Sequence, residues 1–271
     1  MSSRISRVFS DLRKKGELGL VTYVTAGDPN LSRSADILKT LDQAGADVLE
    51  VGVPFSDPLA DGPVIQRASE RALASGTTLT QTLELIKRVR AVVQAPIVVF
   101  SYANPILRIG LESFAANASE AGVDGVLVLD LPIEEAGTFR HTLVEAGIDP
   151  IFLLSPTTTD LRIRQAAELG RGFLYGISRL GVTGARSEMA TGVRGMVRRI
   201  RSVTSLPIAV GFGLSHPKHL QEIGKCADAA VVGSALVELI AQQADSEDLT
   251  TVIEDFIAWL KGGKGEGMDG S

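Results

Sequence analysis

Eight short runs of apolar, often β-branched residues recur along nearly the whole chain, and they constrain its fold more than any other feature. They are "LGLVTYVTAG" (18–27), "ADVLEVGVPF" (46–55), "PIVVFSYAN" (96–104) and "GVLVLDLP" (125–132), then "DPIFLLSP" (149–156), "GFLYGIS" (172–178), "LPIAVGFG" (206–213) and "DAAVVGSAL" (228–236). Near-continuous apolar runs of this length fit parallel strands buried on both faces. Between them lie stretches with apolar residues every three or four positions, such as "SRSADILKTLDQAG" and "TTLTQTLELIKRVRAVV", which read as amphipathic helices. Strand and helix alternating eight times predict a (β/α)8 barrel. A short repeat supports this: "AGAD" (44–47), "AGVD" (121–124) and "AGID" (146–149) each close a helical pattern and open a strand, with Gly where a left-handed helix C-cap belongs. A doubly wound open sheet is the competing α/β arrangement. It calls for a Gly-rich turn after an early strand, whereas the first run here ends in "TAGDPN" with no G-x-G-x-x-G.

The chain has 271 residues, 45% of them hydrophobic, which fits a single α/β barrel. Residues 1–260 are expected to form one catalytic barrel domain and 261–271, "KGGKGEGMDGS", a disordered tail. The opening "MSSRISRVFSDLRKKGELG" alternates charged with apolar residues and is expected to form an extra N-terminal helix. It lacks the continuous apolar core of a signal peptide or membrane span. A formal net charge of -5 argues against nucleic-acid or anionic-membrane partners, which need a clustered positive field. The basic runs at 86–90 and 197–201 alternate with apolar residues as solvated helix faces do. A single cysteine, Cys226, excludes a disulfide within the chain and suits a reducing, cytoplasmic setting.

Two strand-to-helix connections carry the candidate chemistry, because loops on that side of a barrel build the active face. The first follows the second run and reads "EVGVPFSDPLADGP" from Glu50 to Pro63. A carboxylate at Glu50, inside an apolar strand, is either a buried acid with a raised pKa, suited to acid–base work, or one bonded to backbone, paired with arginine or turned toward the helices. Asp61 is either a turn residue before Gly62 or a second carboxylate overhanging the same pocket. Asp57 reads as a loop or interface residue. The second connection, "SRLGVTGARSEMATG" (178–192), is Gly-punctuated and reads as a lid or a disordered insertion. Gly213 after the seventh run, Gly233 and Ser234 after the eighth, and the "GVTG" of the lid could hold a phosphate through backbone N–H groups; tight turns are the other reading.

The remaining candidates are weaker. His216 and His219 are three apart without an obvious third ligand, so surface histidines are the simpler reading than a metal site. Cys226 reads as a small core residue. Tyr102 and Tyr175, placed in the third and sixth strands, are either packed rings or hydroxyls facing a pocket.

With these pieces placed, the sequence closely resembles the tryptophan synthase α-subunit family. The resemblance runs in order through "TYVTAGDP" (22–29), "LEVGVPFSDPLADGPVIQ" (49–66), "SYANPI" (101–106), "GVLVLDLPIEE" (125–135), "LLSPTTTD" (153–160), "YGISRLGVTGAR" (175–186) and "VGFGLS" (210–215). It implies a TIM barrel that cleaves indole-3-glycerol phosphate to indole and glyceraldehyde 3-phosphate without metal or cofactor. It places the catalytic pair on Glu50 and Asp61. It places phosphate binding on Gly184, Gly213, Gly233 and Ser234, with Tyr175 near the reacting glycerol and Thr183 on the closing lid, and the indole pocket on Tyr23, Phe100, Leu127 and Phe212. It also implies a pyridoxal-phosphate β subunit as partner in an α2β2 assembly, contacted by Asp57, Asn104 and Pro132. A free-standing indole-glycerol-phosphate lyase and a weakly catalytic activator of a β partner are the alternatives.

Overall fold

The computed structural model describes residues 3–177, 186–211 (186–191 as backbone only) and 213–262. Its strands, in chain order, are β1 (Gly19–Thr25), β2 (Val48–Gly52), β3 (Ile97–Ser101), β4 (Gly125–Val128), β5 (Asp149–Leu154), β6 (Leu174–Ile177), β7 (Ile208–Gly211) and β8 (Ala229–Val232). Each pairs in parallel with the next, and β1 pairs with β8, so the sheet closes into the TIM barrel expected from the eight runs. Around it lie α1 (Arg4–Lys15), α2 (Leu31–Gln43), α3 (Pro63–Ala74), α4 (Leu79–Val89), α5 (Ala103–Ile109) and α6 (Leu111–Ala121). They are followed by α7 (Ala136–Glu145), α8 (Asp160–Leu169), α9 (Arg186–Arg201), α10 (Pro217–Gly224), α11 (Ser234–Gln242) and α12 (Leu249–Leu260).

Two apolar cores follow from the alternation of side chains along each strand. Outward residues such as Leu20, Val24, Leu49, Val51, Ile97 and Val99 pack under the helices in one large cluster. Inward residues Val21, Val48, Val98, Leu127, Ile151, Phe173, Ala209, Ala229 and Val231 fill the lower barrel. Helix α1 plugs that end. Its Ile5, Phe9 and Leu12 are buried in the inner cluster, and Phe9 meets Phe173 with ring centroids 5.5 Å apart.

The short repeat has a structural meaning beyond its glycines. Gly45, Gly122 and Gly147 do adopt positive φ, of 90°, 81° and 79°. The aspartates that follow also join the strands. Asp47 accepts from the Leu20 amide at 2.8 Å and Asp124 from the Ile97 amide at 2.9 Å, and Asp228 accepts from the Ile208 amide at 2.8 Å. Asp149 instead takes the Ser3 hydroxyl at the N-cap of α1, at 2.5 Å. Arg4 forks onto Asp124 at 2.9 and 3.1 Å and Arg13 reaches Asp228 at 3.6 Å, so α1 is tied to the ring of aspartates it covers.

Two expectations change. The third run does not stay extended to residue 104: β3 ends at Ser101 and Tyr102 is the N-cap of α5. The chain turns there because the Ala103 amide is held by Asp130 at 2.7 Å, and Pro105 falls in the first helical turn, where its missing N–H costs nothing. The connection assigned to 178–192 is also shorter, since 186–192 open α9; residues 178–185 lie outside the described residues, as do 263–271 of the tail.

Because α1 closes the barrel floor, Phe9→Ala should cost about 3–5 kcal/mol, the range for emptying a buried aromatic site. Urea unfolding followed by circular dichroism measures it, and a loss below about 1 kcal/mol would show that α1 does not stabilise the barrel.

Candidate active site

The inward positions above the apolar floor belong to a different chemistry. Glu50, at the centre of β2, lies in register between Tyr23 of β1 and Val98 of β3. It is 0% exposed, and neither carboxylate oxygen has a hydrogen-bond partner among the described residues. The readings that paired it with arginine or turned it toward the helices therefore fail. Burial pushes its pKa up to about 8, so the side chain holds a proton near neutrality and can release it.

Asp61 stands at the end of the loop leaving the same strand. The Tyr102 hydroxyl donates to its Oδ2 at 3.0 Å and accepts from the Ala60 amide at 3.0 Å, pinning both ends of the turn. The Gln66 side-chain amide donates to the carbonyls of Asp61 and Pro58, at 2.9 and 3.3 Å. Burial raises the Asp61 pKa to about 6, and the Tyr102 hydrogen bond works against that rise. The two carboxyl groups thus fall on opposite sides of neutrality, a proton donor and an anion.

Aromatic rings form the wall between them. Tyr23 meets Phe100 edge-on at 5.2 Å, and Phe100 meets Tyr175 at 6.5 Å. Two glycines make room for the phenols: a Cβ on Gly52 would lie 2.1 Å from the Tyr23 hydroxyl, and one on Gly211 would lie 2.6 Å from that of Tyr175. Burial first, and then the Glu50 carboxyl, raises the Tyr175 pKa; burial, then Asp61 with a smaller part from Glu50, raises that of Tyr23, so both stay protonated. Leu127 is fully buried in the inner cluster on which Phe100 and Tyr175 pack, which makes it the pocket floor.

The phosphate candidates lie on adjoining loops. Gly233 is the N-cap of α11 and Ser234 its first residue, with the helix dipole behind them. Gly233 sits against Tyr23, at 3.4 Å from a notional Cβ to Tyr23 Cβ. Gly213, after β7, has φ of 69°, a left-handed conformation that favours glycine. Thr183, Gly184 and Phe212 lie outside the described residues.

Three residues of this mouth were not among the candidates for the site itself. Tyr102 had been left open between packed ring and pocket hydroxyl, and it proves to hold Asp61. Leu129 and Leu153 are half-buried against the inner cluster. The signal was present in the period of two: Tyr102 follows Val98 and Phe100, Leu129 follows Leu127, and Leu153 follows Ile151. His216 and His219 stay apart from the site. His216 caps α10, accepting from the Lys218 amide at 3.1 Å, and packs on Trp259. Cys226 donates to the Ile223 carbonyl at 3.5 Å, and burial raises its thiol pKa.

Fold and site together define a (β/α)8-barrel enzyme with a split pair of carboxylates at the C-terminal mouth. The family model for the tryptophan synthase alpha chain matches residues 9–260. A tryptophan synthase alpha chain of Citrifermentans bemidjiense is 49% identical over 261 residues, covering 96% of this chain and 97% of its own length. The crystal structure of tryptophan synthase subunit alpha from Legionella pneumophila superposes with a TM-score of 0.88 at 32% identity, covering 96% of this chain and 97% of that one. A Pyrococcus furiosus structure, described as showing the mutual activation of a tryptophan synthase α2β2 complex, gives 0.84 at 38% identity over 89% of this chain and 97% of its own. This chain belongs to the tryptophan synthase alpha chain family, lyases of tryptophan biosynthesis.

The unpartnered Glu50 carries a stability signature. Its pKa is raised on folding, from 4.5 to about 8, so the native state binds the extra proton between those values. Stability is full below the unfolded pKa and falls as pH rises through the folded one. Glu50→Gln removes the titration, so the variant should gain on wild type as pH rises from 5 to 8. Thermal melts at both pH values test this, and a constant difference would place Glu50 in solvent or in an ion pair.

Proposed function

We propose that this chain cleaves indole-3-glycerol phosphate to indole and glyceraldehyde 3-phosphate by a retro-aldol step. The observation that carries this reading is the pair at the mouth: a buried, unpartnered Glu50 with a pKa of about 8, beside a loop that presents Asp61 as an anion. Protonated Glu50 delivers its proton to indole C3 and leaves an indoleninium cation. Asp61 accepts the indole N–H bond and stabilises that cation, which is worth more in a site shielded from water. The Glu50 carboxylate then takes the proton from the hydroxyl on the departing carbon. The carbon–carbon bond breaks, the aldehyde forms, indole regains its aromaticity and Glu50 is protonated again.

The rest of the mouth positions the substrate. Gly184, Gly213, Gly233 and Ser234 hold the phosphate, and Thr183 belongs to the closing lid. Tyr23, Phe100, Leu127 and Phe212 wall the indole, and Tyr175 faces the glycerol. Binding energy at the remote phosphate places the reacting carbon between the carboxyl groups. Residues 1–260 act as one catalytic unit in this scheme, which needs no metal or cofactor, and the setting is cytoplasmic.

Glu50→Gln should lower cleavage by at least about a hundredfold while leaving glycerol 3-phosphate binding intact. Asp61→Asn should do likewise, because an amide gives the cationic ring little stabilisation. Turnover is read from indole release, and a wild-type rate in either variant removes that residue from the mechanism.

The same mouth offers a docking face for a β subunit. Asp57 and Pro132 are exposed after β2 and β4 and Asn104 in the first turn of α5, alongside Leu59 of the β2–α3 loop at 92% and Leu107 of α5 at 67% exposure. Exposed leucines around a catalytic loop fit a surface that a partner covers. A partner that presses on the Asp57–Asp61 loop would favour its closed arrangement and raise the rate. Single-turnover cleavage at saturating substrate should therefore be slow in the isolated chain and faster with excess β subunit, with Asp57→Ala reducing the gain. An unchanged full rate favours a free-standing lyase, and negligible cleavage in both conditions favours a non-catalytic activator.

A further inference from the structure

Asp61 depends on helix α3 for its position. Only Gly62 separates it from Pro63, the first helical residue, and Gly62 has no side chain to cap the helix. Whatever fixes α3 on the barrel rim therefore fixes the end of the loop. One strong polar tie does so. Arg71, in the last turn of α3, forks onto Asp28 in the β1–α2 connection, with Nε to Oδ1 and Nη2 to Oδ2 both at 2.8 Å. Asp28 is 3% exposed, and its main chain is also engaged: its amide donates to the Thr25 carbonyl at 3.2 Å and its carbonyl accepts from the Ser34 hydroxyl at 3.3 Å. The Ser75 hydroxyl, at the C-cap of α3, donates to the Gly27 carbonyl at 3.3 Å and so lands on the same connection.

The other side of α3 leans on α11, the helix whose N-terminus is Gly233–Ser234. Ala68 of α3 and Val237 of α11 are fully buried together with Tyr23, and Val64, Ile65 and Phe100 pack on them. Arg67 reaches Glu238 of α11 at 3.5 Å, with both side chains half exposed. The α11 contact is apolar and can slide, since among the described residues its one directional tie is this exposed pair. The Asp28 fork is bidentate, planar and largely shielded, so it sets register along the helix axis.

We propose that Arg71, through its fork on Asp28, is a positioning residue for cleavage: it holds α3, and with it the end of the loop that carries Asp61, in register on the barrel rim. This rests on the assignment of Asp61 above. Neither residue of the pair is assigned to the substrate, so the pair acts on where Asp61 stands and leaves the phosphate cradle on the α11 N-terminus alone.

The test uses the full chain with three variants: Arg71→Met, Asp28→Asn, and Asp28→Asn with Arg71→Met, the last leaving no unpaired buried charge if either single variant fails to fold. The expected result is a kcat lowered about tenfold or more, because a displacement of the order of an ångström at a reacting group is that costly. The inhibition constant of glycerol 3-phosphate should stay within about twofold, and the double variant should be no slower than the worse single one, as for residues acting through one contact. The pH profile gives a readout that a structural role alone would not move. Asp61 is faced by the Tyr102 hydroxyl from the start of α5 and by the Tyr23 phenol from β1, and a loosened loop hydrates it. The acid limb of kcat/KM should then shift to lower pH. A folded double variant with unchanged kcat and acid limb overturns the proposal, as does an equal loss of kcat and glycerol 3-phosphate affinity. Asp61→Asn measured in parallel separates the two ideas: if it cleaves normally, the assignment of Asp61 fails first.

Discussion

A closed parallel barrel gives each strand one way into its interior, through every second side chain, and the rest of this protein follows from how those positions are graded. The lowest inward position is apolar in almost every strand, with Val21, Val48, Val98, Ile151 and Phe173 meeting the buried face of α1. The next holds Tyr23, Glu50, Phe100, Leu127 and Tyr175. The one above holds Gly52, Tyr102 and Gly233, where glycines admit rings and tyrosine reaches a loop. A shift of one residue in any strand would send its whole inward set to the helices. Register is therefore what brings Glu50 and Tyr23 together.

The two ends of the barrel handle carboxylates in opposite ways. At the floor, Asp47, Asp124, Asp149 and Asp228 are all hydrogen-bonded, by strand amides, by the Ser3 hydroxyl or by arginines, and Arg90 adds a second cation to Asp124 at 3.3 Å. Satisfied groups of this kind stabilise and do not react. At the mouth, among the described residues, Glu50 is left without a hydrogen-bond partner and the Asp61 carboxylate with one hydroxyl. The same side-chain chemistry becomes structural or reactive according to how many donors surround it.

That contrast also explains what was legible in the sequence. The barrel was, because eight near-continuous apolar runs and the amphipathic stretches between them mark buried strands and covering helices along the chain. Glu50 was visible as a carboxylate in an apolar run, although only the structure shows both its oxygens unbonded. Tyr102 was undecided because its role depends on where the Asp61 loop folds back, and a contact between residues 41 apart leaves no local pattern. The aspartates of the repeat had a visible spacing but no visible partner, since Asp47 and Asp124 bond strand amides 27 residues away and Asp149 the cap of α1. The exposed leucines of the loops could not be told from core residues by composition, since apolar character alone does not say which face a loop residue takes.

The separation of the two mouth carboxyls follows from their positions. Glu50 is enclosed by strands on both sides and can shed its charge only by keeping its proton, while Asp61 is on a loop that water reaches and that one hydroxyl steadies. Burial raises both pKa values, that of Glu50 to about 8 and that of Asp61 to about 6, so the proton favours Glu50. That bias separates the two groups, with the protonated carboxyl in the sheet and the anion on the loop. The phenols of Tyr23 and Tyr175 reinforce it by staying neutral, which keeps further negative charge out of the pocket. The cost is an unsatisfied carboxyl in the middle of the sheet, and it is offset by the hydrogen-bonded floor, which holds the barrel closed without drawing on the mouth.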